Sequence, residues 1–164
     1  MVEQKENNER ELSVIIPVHN EEKNILSLTD EICLALDNLV DYEIIYIDDG
    51  STDDTRAKII QLTSRLRNVR LVQHDIKGGQ SAALYNGVVA AKGAIIATID
   101  GDGQNDPADI PILLDVFHSN LKDNPILMIA GWRKGRKDTI LKRVSSIAAN
   151  FIRSRILGDA VPDT

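Results

Sequence analysis

The sequence predicts an α/β fold, a mostly parallel, doubly wound sheet flanked by helices. Three observations carry that prediction. Short apolar, β-branched runs alternate along the chain with stretches whose apolar residues recur every three or four positions. The runs are apolar at consecutive positions, the pattern of strands covered on both faces, and intervening helices make such strands parallel. Finally, the polar motifs at 17–22, 48–53, 78–80, 100–107 and 132–138 all follow the end of an apolar run. Open sheets of this kind bind ligands outside the carboxyl ends of their strands, where the strand order reverses, so one mouth is expected to collect these motifs.

The elements follow in order. Leu12 to Val18 reads as the first strand, closed by Pro17-Val18. From Glu22, the positions Ile25, Leu28, Ile32, Leu36 and Leu39 form the stripe of a first helix. Tyr42 to Ile47 is a second strand, and Ala57, Ile60, Leu62 and Leu66 mark the next helix. The alternation continues with a strand at Val69 to Gln73, a helix at Ser81 to Ala91, a strand at Ala94 to Ile99, a helix at Ile110 to Leu121 and a fifth strand at Ile126 to Ala130. No internal repeat or low-complexity tract interrupts the series.

The 164 residues suit one domain with a core of its own. A single cysteine, Cys33, excludes an internal disulfide, and the scattered His19, His74 and His118 show no zinc-ligand spacing. A reduced, cytosolic setting is expected. Residues 1–11 are polar, without the apolar segment of a signal peptide, and are expected to be a disordered lead-in. No apolar run reaches the roughly 18 residues of a membrane span, so the chain as given is expected to be soluble, with any membrane role peripheral or carried by an anchor downstream of Thr164. The net charge of −6 argues against general nucleic-acid binding. It is unevenly spread: residues 1–131 hold 11 Lys and Arg against 22 Asp and Glu, whereas residues 132–158 hold 8 basic residues against Asp138 alone. Such a segment suits an anionic partner, a phosphate or a lipid surface, or is a solvated basic helix.

Asp100-Gly101-Asp102-Gly103-Gln104 emerges abruptly from an apolar strand. Two carboxylates one residue apart repel unless neutralised, and a hard divalent cation, Mg2+ or Mn2+, suits their oxygens. A polar surface turn is the alternative. A calcium-binding helix-loop-helix fails, because Asn105 and Pro111 stand where it needs Gly and Glu. Asp48-Asp49-Gly50-Ser51 can accept hydrogen bonds from a base or ribose, while Ser51 or Thr52 caps the next helix. Gly78-Gly79-Gln80 lacks the spacing of either phosphate-binding glycine motif and is expected to line the site, not to cradle phosphate. His19 lies on the ligand-side loop, in a turn role, and Cys33 is read as an inert small apolar residue.

Taken together, 13–22, 47–53, Asn86-Gly87, 91–93 and 100–107 resemble the family 2 glycosyltransferases with the GT-A fold, a Rossmann-like sheet. Within them the likeness is to polyprenyl-phosphate sugar transferases such as the dolichol-phosphate mannose synthases. It runs from Leu12 to Thr164. The resemblance implies a nucleotide-diphosphate sugar donor held by Pro17, Val18, Asn20, Glu21, Asp48, Asp49, Gly79, Asp100, Gly101 and Asp102. It implies a metal on Asp100, Asp102 and Gln104. Gly131-Trp132-Arg133 and the Lys142 to Asn150 stretch resemble the part that receives sugar and lipid phosphate, which points to Arg133, Arg143 and Ser146 for the acceptor phosphate. Asp102, Arg133 and Arg143 are then the catalytic candidates.

The implied reaction is an inverting, metal-dependent transfer to a polyprenyl phosphate at the cytoplasmic face of a membrane. An ionised phosphate acceptor needs no strong general base, consistent with no convincing His or Glu base being found. Asp163-Thr164 resembles the start of a further family motif, so the domain, 12–164, is expected to be truncated at its C-terminal end. A transferase with a saccharide or protein acceptor is one alternative. A non-catalytic nucleotide-binding α/β domain is another, although a receiver-like module would need an acidic pair after the first strand, where Pro17-Val18-His19-Asn20 stands.

Overall fold

The computed structural model describes residues 10–120 and 128–131. By its contacts the chain divides into two units, Met1–Val116 and Phe117–Thr164. The sheet, the helices packed on it and the pocket described below belong to the first. Its elements run β1 (Leu12–Val18), α1 (Ile25–Leu36), β2 (Tyr42–Asp49), α2 (Thr55–Arg65), β3 (Val69–His74), α3 (Gln80–Ala90), β4 (Ile95–Thr98) and α4 (Asp109–Asn120). The four strands are parallel and ordered β3-β2-β1-β4. The expected α/β class and parallel sheet are thus present. The chain builds outward from β1 through β2 to β3, then crosses back to place β4 on the other side of β1, so the order reverses between β1 and β4.

The pleat sorts the two central strands into two cores. Leu12, Val14, Ile16 and Val18 of β1, with Tyr42, Ile44 and Tyr46 of β2, meet Ile25, Leu28, Ile32 and Leu36 of α1, Ile59 and Leu62 of α2, and Ile110 of α4. On the opposite face Ile15, Ile45 and Ile47 pack on Ala83 of α3. Burial on both faces explains why β1 and β2 read as unbroken apolar runs. Inside the first core the Tyr46 hydroxyl meets Thr29 Oγ1 at 2.8 Å, and Thr29 Oγ1 donates to the Ile25 carbonyl at 2.8 Å. Burial raises the Tyr46 phenol far above its ordinary range.

Several details differ from the sequence reading. Helix α1 closes at Leu36 and the chain turns through Asn38 at φ 66°, which leaves Leu39 68% exposed. On α2 the buried stripe is Thr55, Ile59 and Leu62, not Ala57 and Ile60, because the polar Thr55 opens the buried face. Strand β4 is half-buried: Ile96 shares the face of its partner Ser13, whereas α3 lies over β1 and β2. Of the expected fifth strand, 126–127 lie outside the described residues and 128–130 carry no strand. Residues 1–9 of the expected lead-in also lie outside them, while Glu11 N–H donates to the Asp41 carbonyl at 3.0 Å.

The end of the sheet away from the polar motifs is closed by a buried carboxylate. Glu43 accepts from Ser13 Oγ at 2.8 Å, Arg70 Nη1 at 2.7 Å and the Lys92 N–H at 2.7 Å, while Ser13 Oγ accepts from the Gly93 N–H at 2.8 Å. This ties the α3–β4 connection to β1, β2 and β3. Burial pushes the Glu43 carboxyl upward, but the donors from Arg70, Ser13 and Lys92 outweigh it and hold it below its ordinary value.

Close approach of α3 to the sheet depends on Gly87, where an added Cβ would lie 2.4 Å from Ile15 Cγ2 and 3.0 Å from Ile47 Cδ1. Gly87→Ala is expected to destabilise the fold by about 1–3 kcal/mol through overpacking, read as a lowered urea midpoint.

Candidate functional site

An open pocket of about 380 Å³ lies at the carboxyl ends of the strands, around the point where the order reverses. Pro17, Val18, His19 and Glu21 reach it from the end of β1, and Asp49 from the end of β2. Lys77, Gly79, Gln80 and Ala83 come from the β3–α3 loop and α3, and Asp100, Gly101 and Asp102 from the loop after β4. Four segments separated by up to 85 positions are brought together because parallel strands end on one side. Of the residues expected to bind the nucleotide sugar, Pro17, Val18, Glu21, Asp49, Gly79, Asp100, Gly101 and Asp102 line this pocket, while Asn20 and Asp48 do not; Gln104, expected only as a metal ligand, does not line it either. Arg133, Arg143 and Ser146 lie outside the described residues.

Asp48 and Asp49 are consecutive on β2, so the pleat sends them to opposite faces. Asp48, fully buried, accepts from Arg56 Nε at 2.6 Å and from the Ser51 N–H at 3.0 Å. Arg56 continues to the His74 carbonyl at 3.4 Å. Asp49 turns to the α3 face, where its Oδ1 meets His74 Nδ1 at 2.7 Å and the Gly78 N–H at 2.7 Å, and its Oδ2 accepts from the Gly79 N–H at 2.8 Å. The glycine amides are therefore spent on a carboxylate, in keeping with a loop that lines the site. Gly79 sits at φ 87°, a conformation side chains rarely adopt. Burial raises the Asp49 carboxyl, and His74 with the two amides more than compensates, leaving it below its ordinary 3.8.

The loop after β1 is clasped to the loop after β2. Asn20, at φ 60°, donates its N–H to Ser51 Oγ at 3.0 Å and accepts the Thr52 N–H on Oδ1 at 2.8 Å. The Glu21 N–H donates to Thr55 Oγ1 at 2.8 Å, and Lys58 Nζ donates to the Glu22 carbonyl at 2.7 Å. His19 Nδ1 meets the Asp49 carbonyl at 2.9 Å. Asn20 thus holds the loop that carries Pro17 and Glu21, with its side chain turned to Thr52.

Asp100 and Asp102 are exposed, and among the described residues no cation pairs with either. Asp100 Oδ1 accepts from Gln80 Nε2 at 3.2 Å, and Asp102 Oδ1 accepts from the Gln104 N–H at 3.0 Å. Gly101 lets this loop pack on the end of β1: an added Cβ would lie 2.5 Å from Val18 Cγ1 and 3.0 Å from the Pro17 carbonyl. Among the described residues no three His, Cys, Asp or Glu side chains converge as a closed metal cage. Two carboxylates beside an open pocket fit a hard divalent cation that takes its remaining oxygens from water and from a phosphate ligand, the mode in which Mg2+ is usually held. The residues present therefore fit the divalent metal expected from the sequence.

The parallel sheet, with its strand-end acidic pocket at the point of reversal, has the architecture of the GT-A glycosyltransferase fold. The chain belongs to the glycosyl transferase family 2, whose sequence pattern matches residues 13–164. It is 37% identical over 156 residues to the dodecaprenyl-phosphate galacturonate synthase of Rhizobium johnstonii, covering 93% of this chain and 45% of that protein. It is 32% identical over 158 residues to the undecaprenyl-phosphate 4-deoxy-4-formamido-L-arabinose transferase of Klebsiella pneumoniae, covering 94% and 46%. Among solved structures, glucosyl-3-phosphoglycerate synthase from Mycobacterium tuberculosis, in complex with Mn2+, uridine-diphosphate-glucose and phosphoglyceric acid, superposes with a TM-score of 0.66 at 28% identity, covering 89% of this chain and 50% of that one. The chain spans a little under half the length of these curated relatives.

Sequence reasoning missed His74, Asn86, Arg56 and Lys77 as parts of the site. A hint for His74 was available, since it ends a strand that parallel pairing sets beside Asp49.

The lowered Asp49 carboxyl has a consequence for stability. Its contribution is fully present above the unfolded-state value near 3.8 and is lost as pH falls through the lower folded value. Urea midpoints of the wild type are therefore expected to drop on acidification below about pH 4. Asp49→Asn is expected to start lower and to show a shallower drop.

Proposed function

We propose that the chain is the donor-binding part of a glycosyltransferase that moves a sugar from a nucleotide-diphosphate sugar, with uridine as the base, to a polyprenyl phosphate at the cytoplasmic face of a membrane. The observation that carries this reading is the pocket itself, whose lining includes both a hydrogen-bonding carboxylate, Asp49, and the Asp100 and Asp102 pair on the loop after β4. Three of about four acceptor directions of the Asp49 carboxylate are taken by His74, Gly78 and Gly79, and the fourth, on Oδ2, suits the single ring N–H of uracil. Asp100 and Asp102, with Gln104 next to Asp102 on the same loop, would hold Mg2+ or Mn2+, and Lys77 adds positive charge for the diphosphate. The bound metal supplies charge neutralisation for the departing nucleoside diphosphate. Pro17, Val18 and Glu21 bound the base and ribose, and Gly79 and Gly101 allow close backbone approach. Asn20 and Asp48 serve by holding the two loops in place.

In the transfer, an acceptor phosphate oxygen forms the new bond to the anomeric carbon as the bond to the diphosphate breaks, with inversion at that carbon. Arg133, Arg143 and Ser146 hold the acceptor phosphate, already ionised near neutral pH. The basic 132–158 segment suits an anionic acceptor at a lipid surface. Two relatives bear polyprenyl-phosphate transferase names, which supports this acceptor class. Among the described residues no helix is long and apolar enough to cross a membrane.

Calorimetry against a panel of nucleotide sugars, with and without Mn2+, tests the proposal. Binding of a uridine-diphosphate sugar that requires the metal is expected; metal-independent binding, or none, contradicts it. In the same series Arg133→Ala is expected to lower turnover with a polyprenyl phosphate about tenfold or more while leaving donor affinity unchanged. Equal loss of both would remove Arg133 from the acceptor side.

A further inference from the structure

We infer that His74 is a positioning residue for nucleobase recognition: it orients the Asp49 carboxylate and fills the acceptor capacity of Oδ1, so that the base is read through Oδ2 alone. The inference rests on the donor reading above and deepens it.

Asp49 and His74 are paired residues at the ends of adjacent parallel strands. Ile47 and Val72, two residues before each, both belong to the α3-side core, so the pleat sends Asp49 and His74 to that same face. A carboxylate only accepts, so the 2.7 Å contact puts the hydrogen on His74 Nδ1. Nε2 is then the acceptor for Asn86 Nδ2, also at 2.7 Å. The imidazole is held at both ends, by β2 and by α3, and Asn86 selects the tautomer that donates to Asp49.

The consequence is an arithmetic of lone pairs. Oδ1 receives two donors, His74 Nδ1 and the Gly78 N–H, and Oδ2 receives one, the Gly79 N–H. A carboxylate has about two acceptor directions per oxygen. One remains, on Oδ2, and Asp49 lines the pocket. Uracil offers one ring N–H on its pairing edge. Guanine offers a ring N–H and an adjacent amino group, a pair that matches both oxygens of an unencumbered carboxylate, and here Oδ1 is already full. His74 therefore contributes to base choice without touching the base.

The test is calorimetry of the full chain in Mn2+ with UDP, N3-methyl-UDP and GDP, where the methylated base cannot donate. Wild type is expected to prefer UDP over both others. His74→Leu is expected to lose about tenfold in UDP affinity while N3-methyl-UDP changes little, so the preference collapses. His74→Asn, whose Nδ2–H sits where the imidazole Nδ1–H does, is expected to restore it. Should the Leu variant fail to fold by circular dichroism, Asn86→Ala, which releases the ring, is expected to narrow the same preference. Equal weakening of UDP and N3-methyl-UDP, or an unchanged preference, overturns the role of His74. Wild type that fails to bind UDP overturns the donor reading instead, and the inference with it.

Discussion

Two carboxylates end β2, and the pleat forces them apart: Asp48 turns to the α2 face and Asp49 to the α3 face. Each is buried, so each needs donors on its own side. Asp48 finds Arg56 and the Ser51 amide, which fixes the start of α2. Asp49 finds His74 and the amides of Gly78 and Gly79, which fixes the approach to α3. Neutralising these two charges thus places the connections on both faces of the sheet. Both routes pass through His74, whose carbonyl accepts from Arg56 and whose ring meets Asp49.

From that arrangement the pocket follows. With β1 and β2 buried on both faces, polar side chains can leave the sheet only at strand ends, and parallel strands put those ends on one side. The β1–α1 loop is then clasped to the β2–α2 loop through Asn20, Ser51 and Thr52, and Gly101 brings the loop after β4 against Val18. One wall of the pocket is rigidly hydrogen-bonded. Asp100 and Asp102, on the loop after β4, are exposed and without a cation partner among the described residues, an arrangement that fits a hard divalent cation.

Most of this framework was legible in the sequence because it rests on local signals. Strand β1 and the starts of β2 and β3 follow from apolar runs, and Asp100-Gly101-Asp102 announces itself by contrast with Ile95 to Ile99. The parts that were not legible depend on register or on helix phase. Nothing local shows that Asp48 turns away from the pocket, although period-two alternation on β2 implies it once Ile47 is placed on the α3 face. His74 looked like one of three scattered histidines, since its partners lie 25 positions before it and 12 after it. The α2 stripe was misphased because Thr55, a polar residue, occupies its first buried position. The half-exposed face of β4 could not be read from Ile95-Ile96-Ala97, whose composition matches that of the central strands.

The central claim is that Asp100 and Asp102 form an incomplete metal site that a nucleoside diphosphate completes. Electron paramagnetic resonance of Mn2+ tests it directly, because the sharp signal of the free ion disappears on binding. The account predicts that the chain and UDP together remove more of this signal than the sum of what each removes alone, and that Asp102→Asn abolishes the excess. Strong Mn2+ binding by the chain without UDP, or an excess that survives Asp102→Asn, would contradict it.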